Sequence, residues 1–242
     1  MRSATKLKPR PAQTAARRAA PPSRLPAPTA APAAPFGLRE RNKRDKLNRI
    51  KAAARKLFVS KGFDDATMRE IAARAGVGLG TVFLYAADKR DLLFLIANEG
   101  LEEAAAESET AVRPTASLIE NLVAICGRQY AFFARQPALS RLVLREMTFY
   151  EAGEQGRAFQ KTRDGLIALI GKTVGFAMTQ GSVASTEPPA LIGWAIFCIF
   201  QVELRRWLSG DDLDVRKGLE HLRRTLNVCI TGLQPMARAT SK

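Results

Sequence analysis

Histidine is almost absent from this chain: His221 is the only one in 242 residues. Any multi-histidine metal site, or a histidine-based dyad elsewhere, is thereby excluded. Cysteine is scarce too. Cys126, Cys198 and Cys229 are an odd number in apolar surroundings and form no CxxC pair. They read as buried free thiols in a reducing compartment. Paired acidic clusters and nucleophile motifs are missing, so no catalytic residue is assigned, no metal or cofactor is called for, and the chain reads as a non-enzyme. Long apolar runs are also lacking. The longest, Leu191–Val202 and Gly165–Met178 (the second broken by Lys172), fall short of the roughly 18–20 residues a membrane span needs. The basic N-terminus has no apolar h-region and is not a secretory signal. The expected location is the cytoplasm, with no membrane partner. No strand pattern and no fixed-period repeat stands out.

What the chain has in excess is positive charge, and it lies at one end. The net charge is +15. Residues 1–49 hold 13 Lys/Arg against 2 Asp/Glu, residues 50–97 hold 8 against 5, and residues 98–242 hold 17 against 16. A basic end on a neutral body points to a polyanionic partner, nucleic acid or a membrane surface. Residues 1–38 are Ala, Pro and Arg/Lys with almost no large apolar side chain, too little to offset the entropy of ordering them. They read as a disordered basic tail. Either it adds non-specific phosphate contacts or it is a solvated extension.

From Arg44 the pattern turns helical. Leu47, Ile50, Ala54, Leu57 and Phe58 recur at three- and four-residue steps, and Gly62 stops the run. Asp88 opens a long helix reaching about Thr110, with Asp91 as a near-match to a capping box. Further helices are expected at about Pro114–Arg135, Ala138–Tyr150, Glu154–Gly181, Pro189–Leu208 and Asp211–Leu233. Pro114 and Pro189 suit first-turn positions. Pro137 separates two helices. The fold class is all-α: an N-terminal three-helix module over residues 39–90 and a larger helical body over residues 91–242.

Between the first helix and the long one stands "ATMREIAARAGVGLGTVFLYAADK", from Ala66 to Lys89, with glycines at 76, 78 and 80. A dinucleotide fingerprint needs GxGxxG directly after a strand. Here the spacing is wrong and a helical segment, Met68–Arg74, comes first. Gly171-Lys172-Thr173 resembles the end of a P-loop, but Gly165 leaves five intervening residues rather than four, and the segment is helical. A helix-turn-helix fits instead. Thr67 is an N-cap and Glu70 completes a capping box. Ile71 points inward, Ala72 must be small beneath a crossing helix, and Gly76 makes the turn. Val77 and Val82 fill the core.

The Leu-Phe pair ending the first helix, Gly62-Phe63, Thr67, Ile71-Ala72, Ala75-Gly76-Val77, Gly80-Thr81, Tyr85 and Lys89 resemble the DNA-binding module of the TetR family of transcriptional regulators. The resemblance covers Ile50–Leu93. The body matches only in length and class. Where the family often has Ser-Lys this chain has Gly78-Leu79, where it often has Tyr stands Phe83, and where it often has Phe stands Ala86. Two phosphate contacts are thereby removed.

In a helix-turn-helix the second helix enters the major groove. The expected DNA-binding residues are Thr67, Arg69, Gly78, Leu79, Thr81, Phe83, Tyr85 and Lys89. Leu79 and Thr81 suit base edges or thymine methyls. Phe83 packs on sugar or a thymine methyl, or else in the module core. Thr67, Arg69, Tyr85 and Lys89 suit phosphates, with a solvated face as the alternative for Arg69. So small a reading head needs a second copy about 34–36 Å away, so the operator should be palindromic.

Leu191, Trp194, Phe197, Cys198 and Val202 form one apolar stripe, and Leu219, Leu222, Leu226 and Ile230 another. They make a four-helix dimer bundle, as the resemblance implies, or an intramolecular core. Tyr130, Phe132, Phe133, Leu142, Met147, Phe149, Phe159, Phe176 and Met178 either line a site for a small apolar effector or fill a core. Arg145 and Glu146 either form a salt bridge or orient a ligand. The expected partners are double-stranded DNA, a second copy of the chain and a small-molecule effector. The resemblance implies a ligand-responsive regulator, usually a repressor. Tail-driven non-specific DNA binding, and a lipid-binding body on a degenerate module, are the competing readings.

Overall fold

The structure, a computed structural model, describes residues 36–147 and 153–232. The basic tail, read over residues 1–38, therefore lies outside the described residues up to residue 35, and so do Phe149 and Tyr150. The described residues form helices and connecting loops. In chain order the helices are α1 (Phe36–Ser60), α2 (Met68–Ala75), α3 (Leu79–Phe83), α4 (Lys89–Ala111), α5 (Leu118–Ala134), α6 (Pro137–Glu146), α7 (Glu154–Thr179), α8 (Pro189–Ser209) and α9 (Val215–Thr231).

Helix starts follow side chains that satisfy the free N–H groups of a first turn. The Thr67 hydroxyl accepts from Glu70 N at 3.2 Å and the Glu70 carboxylate accepts from Thr67 N at 2.9 Å, a complete capping box. Asp88 caps α4 by accepting from Asp91 N at 2.8 Å. Pro189 opens α8 as expected. Three expected starts move. α1 begins at Phe36, eight residues before the apolar periodicity does, because its first turns are exposed and carry no buried face to betray them. α5 begins at Leu118, since Ser117 and Glu120 make a second capping box. Pro114 sits in the preceding loop, which Asn121 ties down by accepting from Arg113 N and donating to Arg113 O. α9 begins at Val215 under an Asp214 cap rather than at Asp211. Pro137 does more than separate helices: it is the first residue of α6.

α1, α2 and α3 pack on Ile50, Ala54, Phe58, Ile71, Ala72, Val82 and Ala86, all buried. α4 runs from this module into the body, where α5 and α7 pack against it, α8 packs on α7, and α9 packs on α5 and α8. α7 and α8 cross at backbone contact. A Cβ on Gly193 would lie 2.6 Å from Gly171 Cα. The P-loop-like Gly171-Lys172-Thr173 is thus helix interior at a crossing point.

The body also revises two sequence readings, those of the cysteines and of the apolar stripes. Cys126 is buried, and burial pushes its thiol up to about 12, but Cys198 is half-buried and Cys229 exposed. Both lie on α8 and α9, whose outer face the single chain leaves uncovered. Leu222, Leu226 and Phe197 are buried inside the chain and Leu219 and Ile230 are half-buried, whereas Leu191, Trp194 and Val202 on α8, and Val228 on α9 outside the expected stripe, are roughly half exposed or more. His221, 46% exposed, places Nδ1 2.8 Å from the Glu203 carboxylate. Burial raises that carboxyl, but Arg206 and His221 outweigh it and leave it below its ordinary range. Among the described residues no helix is long and apolar enough to cross a membrane, and no group of His, Cys, Asp and Glu is arranged to hold a metal ion.

Candidate nucleic-acid interface

The turn between α2 and α3 aims a surface outward. Gly76 takes φ +64, the left-handed conformation in which a Cβ is costly. Its N–H donates to Ala73 O, and Val77 N donates to Ala72 O, closing the end of α2. The chain then leaves at an angle that buries Val82 completely and Ala86 to 2%. Residues three and four apart share a helix face, so the opposite side of α3 is left to solvent. Gly78, Gly80 and Phe83 are exposed there, and Leu79 and Thr81 are half-buried at its edge. Phe83 is 49% exposed and so does not belong to the module core. Leu84, 82% exposed, lies beside it. Sequence reasoning passed over Leu84. The signal was present, because residues 80, 83 and 84 fall on the face opposite Val82.

The polar members of the expected set sit around this face with partners of their own. The Thr67 hydroxyl both accepts from Glu70 N and donates to Glu70 Oε2 at 2.8 Å. Lys61, 2.6 Å from the same carboxylate, and Thr67 together hold Glu70 well below its ordinary range, at about 2. Arg69 is exposed. The Tyr85 hydroxyl donates to Lys43 O at 3.2 Å, and this ties the first half of α1 to the end of α3. Lys89 Nζ donates to Asp64 O at 2.8 Å and stands 4.8 Å over the Phe63 ring. That hydrogen bond uses one of its three N–H groups. Tyr85 and Lys89 are braces of the module as well as members of its rim.

The first half of α1 supplies positive charge that α3 itself lacks. Arg39, Arg41, Lys43, Arg44, Lys46 and Arg49 are all exposed, against Glu40 and Asp45. Arg49 lies close enough to the helix-turn-helix turn that a Cβ on Gly76 would meet its guanidinium at 3.3 Å. The outward side of α3 is therefore an apolar strip bordered by cations, as a phosphate-flanked groove requires.

Contacts between module and body are ionic as well as apolar. Arg145 reaches both Asp64 carboxylate oxygens, at 3.2 and 3.3 Å, and also bonds Glu146 at 2.8 Å. Glu146 accepts from Arg90 of α4 at 2.6 Å. The buried Asp91 carboxylate accepts from Ala87 N at the start of α4 and from Gln155 N and Gly156 N at the start of α7. A polar cleft of about 230 Å³ lies along the same seam, between α1, α4, α5 and α6, lined by Arg55, Gly100, Phe132 and Arg135 among others.

A second, apolar cavity lies inside the body. Leu101, Phe133, Met147, Phe159, Leu166 and Phe200 line it, with Gln129, Thr162, Arg163 and Gln201 as the polar members. Its volume is about 30 Å³, the space of one water molecule in the liquid. Phe132 is half-buried and lines the polar cleft instead, and Phe176 is 44% exposed, so the aromatic residues of the middle helices serve several purposes. Met147 touches this cavity and directly follows Arg145 and Glu146.

Comparison with known proteins agrees with this geometry. The family model described as "Bacterial regulatory proteins, tetR family" matches residues 50–96. The fatty acid metabolism regulator protein of Bacillus subtilis is 27% identical over 94 residues, 39% of this chain and 48% of its own, so that match spans about half of the relative. The HTH-type transcriptional repressor KstR of Mycolicibacterium smegmatis is 25% identical over 179 residues, 73% of this chain and 84% of its own. In fold, the transcriptional regulator FadR from Bacillus subtilis, solved in complex with stearoyl-CoA, superposes with a TM-score of 0.62 at 18% identity, covering 77% of this chain and 98% of that one. FadR of Thermus thermophilus, a TetR-family repressor solved with lauroyl-CoA, gives 0.58 at 22%, covering 81% and 100%. The capped α2, the left-handed turn at Gly76 and the outward α3 all lie within the residues that the tetR family model matches, so residues 50–96 are similar to the DNA-binding module of that family of regulators.

Proposed function

We propose that the chain is a ligand-responsive repressor that binds a palindromic double-stranded operator as a homodimer. Residues 39–90 serve as the DNA module, and residues 91–242 as the effector and dimerisation body. The observation that carries this reading is the outward face of α3, apolar at Phe83 and Leu84 and bordered by exposed cations of α1. Arg69 and the uncommitted N–H groups of Lys89 supply phosphate contacts. Tyr85 holds α1 against α3, because a hydroxyl donating to Lys43 O has no second proton for a phosphate. Leu79, Thr81 and the exposed backbone at Gly78 complete the groove surface. The uncovered face of Leu191, Trp194, Val202 and Val228 serves the second copy.

The effector we assign is a molecule with an apolar chain, in line with the acyl-CoA complexes of the two FadR neighbours. A cavity of about 30 Å³ cannot hold such a chain closed. Binding must displace Phe133, Met147 or Phe159. Displacing Met147 disturbs Arg145 and Glu146, which join the body to Asp64 and Arg90. A ligand that favours the opened body thereby changes operator affinity, by no more than its preference between the two states.

The test is a selection of duplexes from a random pool with the full-length chain, followed by titration of the selected operator complex with lauroyl-CoA and stearoyl-CoA. Release of the operator by either compound is the expected result. Selection of no sequence removes operator recognition. Unchanged operator affinity with a compound demonstrably bound removes the coupling.

A further inference from the structure

We infer that α3 reads its operator through the 5-methyl groups of thymine, with Phe83 and Leu84 as the specificity-determining side chains. The inference rests on the operator-binding reading above and specifies the chemistry of the sequence recognised. It starts from what the reading helix is made of. Val77–Ala86 contains no Arg, Lys, Asn, Gln, Asp or Glu. Guanine is discriminated in the major groove by Arg or Lys on O6 and N7, adenine by Asn or Gln on N6 and N7, and cytosine by a carboxylate on N4. None of these is available from this helix. The two polar side chains of this segment are Thr81, half-buried in α3, and Tyr85, just beyond the helix, whose hydroxyl is engaged with Lys43 O.

What α3 does present is apolar. Phe83 is 49% exposed and Leu84 82%, while their neighbours Val82 and Ala86 already close the module core. The pair is thus not core surface left unfinished. Two large hydrophobic side chains side by side in water gain free energy once something apolar covers them. Thymine carries the one apolar substituent that a base edge displays in the major groove. Gly80 adds access: a Cβ built there meets nothing within 4 Å, so no side chain at that position holds the helix away from the duplex. The cations of α1 fix the register on phosphates and carry no sequence information.

The experiment uses the duplex selected from a random pool by the full-length chain. Every thymine in it is then replaced by deoxyuridine, which removes the methyl and keeps the pairing. Thymines should be enriched at matching positions of both half-sites. The uracil duplex should bind about fourfold more weakly for each methyl buried. Phe83→Ala and Leu84→Ala should bind the thymine duplex more weakly and be less sensitive to uracil than the parent. Both positions are exposed, and the comparison of the two duplexes with the unaltered protein is independent of any variant's folding. A selected sequence that binds equally well with uracil overturns this inference and leaves operator binding standing. A pool from which nothing is enriched overturns both.

Discussion

Lys61 and Thr67 converge on Glu70, and the consequence is a pH dependence that one residue accounts for. The folded carboxyl titrates at about 2, against an ordinary value of 4.5. A group depressed on folding stabilises the native state above its unfolded value, and that contribution drains away as pH falls toward the folded value. Glu70→Gln should therefore be less stable than the parent at neutral pH and lose less on acidification from about 4.5 to about 2, as urea melts at a series of pH values will report. Tyr130 is the opposite case. Its ring is fully buried against Trp207, burial drives its pKa up, and its hydroxyl has no hydrogen-bond partner among the described residues. Removing an unsatisfied buried hydroxyl recovers its desolvation cost, so Tyr130→Phe should stabilise the chain by about 1 kcal/mol, read as a raised midpoint in urea.

Among the helices, the starts that sequence reasoning placed well are those where a capping side chain adjoins an apolar periodicity, as at Thr67 and Asp88. α1 escaped because residues 37–46 are exposed and mostly charged or polar, and a helix without a buried face leaves no period to read. α5 was misplaced because Pro114 and Ser117 are both plausible openers, and only the Ser117–Glu120 bonds decide between them. The site divides in the same way. The module's turn and core were legible from local spacing. The pairing of Arg145 with Asp64 joins residues 81 positions apart, which no local pattern encodes. The α7–α8 crossing is another such contact. Because the obstacle at Gly193 is the backbone of Gly171 rather than a side chain that can swing away, Gly193→Ala should cost about 3 kcal/mol, measured by denaturant unfolding, and should separate α7 from α8.

At the scale of the molecule, a second uncovered apolar surface, besides that of Phe83 and Leu84, lies on α8 and α9. Leu191, Trp194 and Val202 are too large and too exposed to be left in water by a monomer without consequence. Replacing Trp194 and Val202 together by Glu should give a monomer in analytical ultracentrifugation with unchanged helicity. Its affinity for the palindrome should fall to that for a single half-site, a loss of about a hundredfold or more, since tethering two sites multiplies binding by roughly 10²–10⁴.

The cleft of about 230 Å³ along the seam has a mechanical meaning. Packed protein interiors resist compression, and a hinge filled to that density would make every tilt of the reading head unpack something. Here Arg55 of α1 borders open space, while the ion pairs Arg145–Asp64 and Arg90–Glu146 add to the apolar contacts that join module and body. A tilt of α1 at that point would meet an open cleft before it unpacked a filled core.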